Sequence, residues 1–189
     1  MILSDVTLTS LCQEKVPLVE NITEWSIQPA SIDVRIGPSI LTINESIPYI
    51  SMDGNLEQYV RKEISNDEII IEPKEFVLAS TMEFINLPKD ISAFVEGRSS
   101  IGRLGLFIHN AGWIDPGFKG EITLELFNAT DKRIKIPVGR RIAQLVFCKM
   151  DNESAYGYTG KYNYQKGATG SRIERDNEAI LERAKRLFF

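Results

Sequence analysis

Apolar and polar residues alternate in short runs along most of this chain. Ile32, Val34 and Ile36 alternate with Asp33 and Arg35, and Gly37-Pro38 is expected to end that run. A period of two marks a strand with one buried face. Residues 69–71, 76–79 and 91–95 read as further strands, punctuated by Pro73 and Pro88. Residues 106–108, 121–127, 134–138 and 142–147 complete the set. Short strands with frequent turn residues, not alternating with helices, predict an all-β barrel or sandwich rather than a parallel α/β sheet. Two helices flank them. Ser4 or Asp5 can cap a short one whose apolar face holds Leu8, Leu11 and Cys12. The other spans 176–189, with Asp176 as cap, Glu182 and Arg186 spaced for an ion pair, and Ile180, Ala184 and Leu187 on one face. Between strands and final helix, residues 151–172 are rich in Tyr, Gly, Lys and Ser and poor in aliphatics. They read as a mobile arm and a candidate lid. The expected organisation is one domain over 1–172, arm included, and a helical extension over 173–189.

Composition narrows this picture. A chain of 189 residues, 43% hydrophobic and 25% charged, fits one compact domain. A net charge of −4 weighs against a general nucleic-acid binder. It leaves room for a small anion held by a local arginine cluster. Only Cys12 and Cys148 are present, so a reducing cytoplasm is expected rather than a disulfide scaffold. The N-terminus lacks a basic segment followed by an apolar one, and the apolar run 142–148 is too short to span a bilayer. The single histidine, His109, excludes a zinc hydrolase built on two or three histidines of this chain.

Three stretches carry candidate chemistry. Glu96-Gly-Arg-Ser-Ser-Ile-Gly-Arg-Leu-Gly105 gathers glycines, which let backbone N–H groups approach an anion, with the donors of Arg98, Ser99, Ser100 and Arg103. It reads as a phosphate cradle or as a polar turn with surface arginines. Asp115-Pro-Gly-Phe-Lys-Gly120 is a tight loop that displays Asp115, either to a ligand hydroxyl or to its own turn. In Glu121-Ile-Thr-Leu-Glu-Leu-Phe-Asn128, period two puts Ile122, Leu124 and Leu126 on one face and Thr123, Glu125 and Phe127 on the other. Glu125 is then a mid-strand carboxylate, either partly dry and suited to proton transfer or simply facing solvent. His109 reads as a structural or surface residue, and Phe107, Trp113 and Phe127 as packing residues, with Trp113 close enough to Asp115 to line a pocket. In the arm, Lys161, Tyr162, Gln165 and Lys166 are anion partners on a flexible backbone, or part of a surface tail.

Taken in order, Ala30-Ser-Ile-Asp-Val-Arg-Ile-Gly37, the Glu96–Gly105 stretch, Asp115-Pro-Gly-Phe-Lys-Gly120, Gly139-Arg-Arg-Ile-Ala-Gln-Leu-Val-Phe147 and Lys161-Tyr-Asn-Tyr-Gln-Lys-Gly-Ala-Thr169 resemble the successive motifs of the dUTPase and dCTP deaminase superfamily. The resemblance implies a distorted β-barrel of the dUTPase type, assembled as a homotrimer or a dimer of trimers with sites between subunits. It implies that Glu125 is the general base and acid for water attack on C4 of cytosine, with Ser99 and Arg103 orienting that water and stabilising charge. Thr123 would read the pyrimidine edge. Asp115 would bind the deoxyribose 3′-hydroxyl over Phe118. Arg98, Ser100, Lys161, Tyr162 and Gln165 would hold the triphosphate, with Mg²⁺ carried on the phosphates and no zinc. Zinc nucleobase deaminases need an H-x-E and P-C-x-x-C signature, which this chain lacks.

Within that superfamily Gly112-Trp113 stands where single-function deaminases tend to carry a His/Arg pair, and Gln144 follows the dUTPase pattern. Both resemble the bifunctional branch, which converts dCTP to dUMP, ammonia and diphosphate. The loop before Asp115 is shorter than usual, which bears on dTTP as a feedback effector. The readings weighed against it are a deaminase that releases dUTP, a plain dUTPase, a catalytically silent nucleotide sensor and an all-β nucleic-acid-binding module.

Overall fold

A computed structural model describes residues 1–52, 57–109 and 112–176. Helix α1 (Asp5–Cys12) buries Leu8 completely and packs Leu11 and Cys12 against the core. The strands are β1 (Val19–Glu20), β2 (Ile27–Gln28), β3 (Ser31–Ile43), β4 (Tyr59–Arg61), β5 (Glu68–Ile71) and β6 (Phe76–Asn86). They continue as β7 (Ile91–Gly97), β8 (Leu106–Ile108), β9 (Trp113–Ile114), β10 (Lys119–Asn128), β11 (Ile134–Pro137) and β12 (Arg141–Lys149). A short helix α2 (Ser99–Gly102) interrupts them, and a 3₁₀ turn covers Ile173–Arg175. The protein is mainly β, as the alternation predicts. Of the helix expected over 176–189, all but Asp176 lies outside the described residues.

The strands form one antiparallel sheet in the order β8-β10-β6-β3-β12-β7-β9, with β1 on β6 and both β2 and β4 on β3, curled into a half-barrel. A separate ribbon pairs β5 with β11. The curl depends on β3. Its first half pairs with β12 and its second half with β6 and β4, and the register shifts between Ile36 and Ile40. Gly37-Pro38 therefore does not end the strand as expected. It forms an irregularity at which one long strand turns the corner between two sheet faces. Gly37 is needed there, because a Cβ would lie 2.8 Å from Ser80 Oγ.

Strand β10 keeps the predicted two faces. Ile122, Leu124 and Leu126 are buried, while Thr123 and Glu125 are half-buried and Phe127 is exposed. The pattern persists through a register shift between Glu121 and Thr123, where Ile122 N–H donates to Thr81 Oγ1 at 3.0 Å instead of to a strand partner. Each buried aliphatic contributes about 1.5–3 kcal/mol of transfer free energy. Asp33 departs from simple alternation. It sits among buried neighbours at 1% exposure because arginines accompany it. Among the described residues, no helix is long and apolar enough to cross a membrane.

Candidate active site

The predicted site residues gather in two clefts. One, of about 470 Å³, is lined by Asp115, Phe118, Thr123, Glu125, Tyr162 and Gln165 together with Tyr59, Trp113 and Tyr158. The other, of about 390 Å³, is lined by Arg98, Ser99, Ser100 and Gln144 around Asp33. Arg103 lines neither. It follows α2, and its backbone N–H donates to Ser99 O at 3.0 Å. Lys161 also lines neither, because its ammonium pairs with Asp176.

In the first cleft, β10 presents Thr123 and Glu125 as consecutive residues of its outward face. Glu125 Oε2 lies 3.2 Å from His109 Nδ1, and its side chain is 39% exposed. The cleft floor is apolar, with Phe76, Leu78 and Ile122. The Asp115 loop is closed by its main chain, Phe118 N–H to Asp115 O at 3.1 Å. Its carboxylate Oδ1 instead accepts from Trp113 Nε1 at 3.0 Å. Phe118 is buried and its ring lies 5.7 Å from that of Tyr158, tilted 53°. Gly117, at φ +84°, permits this loop, and a Cβ there would meet Gly157 Cα at 2.7 Å.

The arm, expected to be mobile, is fastened across this cleft. Glu121 N–H donates to Gln165 O at 3.0 Å, and Gln165 Nε2 donates to Glu121 O at 2.7 Å. Gly167 N–H reaches Glu121 Oε2 at 2.6 Å, Ala168 N–H reaches Ser39 Oγ at 2.9 Å, and Thr169 N–H reaches Thr123 Oγ1 at 3.1 Å. The physical reason lies in β8. Among the described residues it pairs with β10 at 126–128 and His109 N–H adds a bond to Glu125 O, so the arm's polar groups take up the earlier part of that edge. Gln165 is 8% exposed, and its Oε1 has no hydrogen-bond partner among the described residues.

Tyr59 escaped the sequence reading because it follows a polar, patternless segment. It sits under Gly170, whose Cβ would meet the Tyr59 ring at 2.6 Å. Burial pushes its phenol pKa up. The Ser171 backbone N–H opposes this, and the negative charge of Glu125 adds to it.

In the second cleft, Asp33 Oδ2 lies 3.2 Å from Arg98 Nε and 3.1 Å from Arg141 Nη1. Burial pushes the Asp33 pKa up, while the two guanidinium groups pull it down without cancelling the rise. The pairing holds Arg98 at the start of α2, beside Ser99 and Ser100. Ser31 Oγ donates to Gln144 Oε1 at 3.3 Å on the same wall.

Fold and clefts together define a curled half-barrel protein with an acid- and aromatic-lined pocket and a separate cleft of arginine and serine around Asp33. The chain belongs to the dCTP deaminase-like family, whose model matches residues 2–150. It is 47% identical over 180 residues to a dUMP-forming dCTP deaminase of Persephonella marina, covering 94% of this chain and 100% of the relative. It is 46% identical over 182 residues to the Aquifex aeolicus protein of the same name, covering 96% and 100%. Among solved structures, it resembles the 2′-deoxycytidine 5′-triphosphate deaminase of Agrobacterium tumefaciens with a TM-score of 0.61 and 25% identity. That match covers 77% of this chain and 47% of the other.

Proposed function

We propose that the protein deaminates dCTP and hydrolyses the product onward, giving dUMP, ammonia and diphosphate. The observation that carries this reading is the placement of Glu125 beside Thr123 in a cleft that also holds Asp115 and Phe118. Relatives named as dUMP-forming dCTP deaminases across their full length support it.

Glu125 removes a proton from water as the water oxygen bonds to C4 of the cytosine. The proton then passes to the exocyclic amino group, which leaves as ammonia when the C4–N bond breaks. Ser99 and Arg103 orient the water and stabilise charge, and Thr123 reads the pyrimidine edge. Asp115 accepts from the 3′-hydroxyl over the Phe118 ring. Gln165 joins the groups that hold the triphosphate, and its unpartnered Oε1 can also accept from a sugar hydroxyl or an amino group. A second water then attacks the α-phosphorus and diphosphate departs. Arg98, Ser100, Lys161 and Tyr162 hold the phosphates, with Gln144 on the cradle wall. Magnesium enters with the triphosphate.

The division of these residues between two clefts supports sites completed by a second copy of the chain, as in a homotrimer. A cytoplasmic place suits an enzyme acting on free nucleotides.

Product analysis tests the proposal. With dCTP and Mg²⁺, ammonia, dUMP and diphosphate are expected in equal amounts. Accumulating dUTP would show a deaminase only. Turnover of dUTP without ammonia from dCTP would show a dUTPase, and tight binding without turnover a sensor.

A further inference from the structure

Trp113 is a large aromatic side chain left 62% exposed, although it belongs to a strand. Strand β9 pairs with β7 so that Ile114 faces the core and Trp113 faces out, opposite Phe94. The two rings stack 6.1 Å apart at 15°. That stack sets the plane of the indole. Its Nε1–H then points at Asp115 Oδ1, 3.0 Å away, at the mouth of the first cleft.

The chemistry of this contact is asymmetric. An indole N–H only donates and does not titrate in the ordinary range. It therefore occupies one carboxylate oxygen and leaves the other as an acceptor. An aspartate in a tight loop would otherwise turn its oxygens onto nearby backbone N–H groups. Here the main chain closes the turn and the carboxylate is taken out of that competition.

We propose that Trp113 is a positioning residue for substrate recognition: by holding Asp115 Oδ1, it presents Oδ2 to the 3′-hydroxyl of the deoxyribose and so makes the site demand that hydroxyl. The inference rests on the reading of this cleft as a dCTP site. Trp113 touches no reacting atom in this scheme. Its effect lies in ground-state binding, through Asp115.

The test compares wild type with Trp113→Phe, which keeps a ring against Phe94 and removes the donor. Because the side chain is exposed, the fold is retained, as thermal melting will show. With dCTP the variant should raise KM about tenfold, the usual scale for losing a hydrogen bond to a charged group, with kcat little changed. With 2′,3′-dideoxy-CTP the two proteins should have the same KM. In an Asp115→Ala background, Trp113→Phe should add no further loss. A folded variant with wild-type KM for dCTP overturns the proposal. So does an equal rise on both substrates, or an additive loss with Asp115→Ala, since either would mean that Trp113 acts apart from Asp115. A wild-type protein that releases no ammonia from dCTP removes the functional reading and this proposal with it. An active wild type with an indifferent variant removes this proposal alone.

Discussion

His109 Nδ1 and Glu125 Oε2 face each other at 3.2 Å across the pairing of β8 with β10. The histidine is 71% exposed, so this pair contributes at most about 1 kcal/mol even when the imidazole is protonated. Its energetic weakness agrees with the proton-transfer role proposed for Glu125, which requires the carboxylate to exchange one partner for another. Glu125→Gln should lower ammonia release by at least about a hundredfold, because an amide cannot take that proton. His109→Ala should leave the melting temperature nearly unchanged. Ammonia assays and thermal melts check both, and a Glu125→Gln variant with substantial turnover would remove Glu125 from the mechanism.

The two clefts predict complementation. Glu125 and Ser99 line different clefts of one chain. If each working site joins the first cleft of one copy to the second cleft of another, Glu125→Gln and Ser99→Ala should rescue each other. Dissociating an equal mixture and allowing it to reassemble should restore about a quarter of the wild-type sites by random assortment. No recovery in assembled mixtures would mean that both residues serve a site within one chain.

Lys161 is tied to Asp176 in the closed arm. Burial pulls the lysine pKa down, but Asp176 more than offsets this, leaving it above the ordinary value. A triphosphate must compete with that carboxylate. Asp176→Asn should therefore lower KM for dCTP, by up to about fivefold for a partly exposed ion pair. Steady-state kinetics at low salt will show it. A raised KM would mean that the ion pair holds the arm in its productive place.

Glu83 is completely buried and accepts from Arg35 twice, Nε to Oε1 at 2.6 Å and the backbone N–H to Oε2 at 2.8 Å. Burial raises its pKa despite the opposing pull of Arg35. The folded state thus holds a proton on Glu83 over a pH range in which the unfolded chain has already lost it. Stability from this group must fall as pH rises from the ordinary glutamate value through the raised one. Relative to wild type, Glu83→Gln should gain stability as pH rises above the ordinary glutamate range, and level off once the folded-state carboxyl has also lost its proton. Melting curves of the two proteins measure this. A gap that moves the other way would show Arg35 dominating over burial.

Much of this protein is determined locally. The alternation at 121–127 is enough to place Glu125 and Thr123 on one face of a strand, because side chains on a pleated backbone have a period of two. Turn residues locate the Asp115 loop for a similar local reason. Gly37-Pro38 misleads, since the same residues that end a strand also make an irregularity within one, and only the pairing of β3 with both β12 and β6 distinguishes the outcomes. Local pattern placed Trp113 near Asp115 but was silent on the Phe94 stack that aims its indole, on Tyr59, and on the arm fastened to the edge of β10. The Tyr59 and arm contacts join residues tens of positions apart, the Trp113–Phe94 stack forms only across a strand pair, and polar side chains choose partners by what the curled sheet leaves unpaired. The separation of the Glu125 cleft from the Arg98 cleft was likewise decided by the curl, which carries β10 and the start of α2 to different parts of the surface.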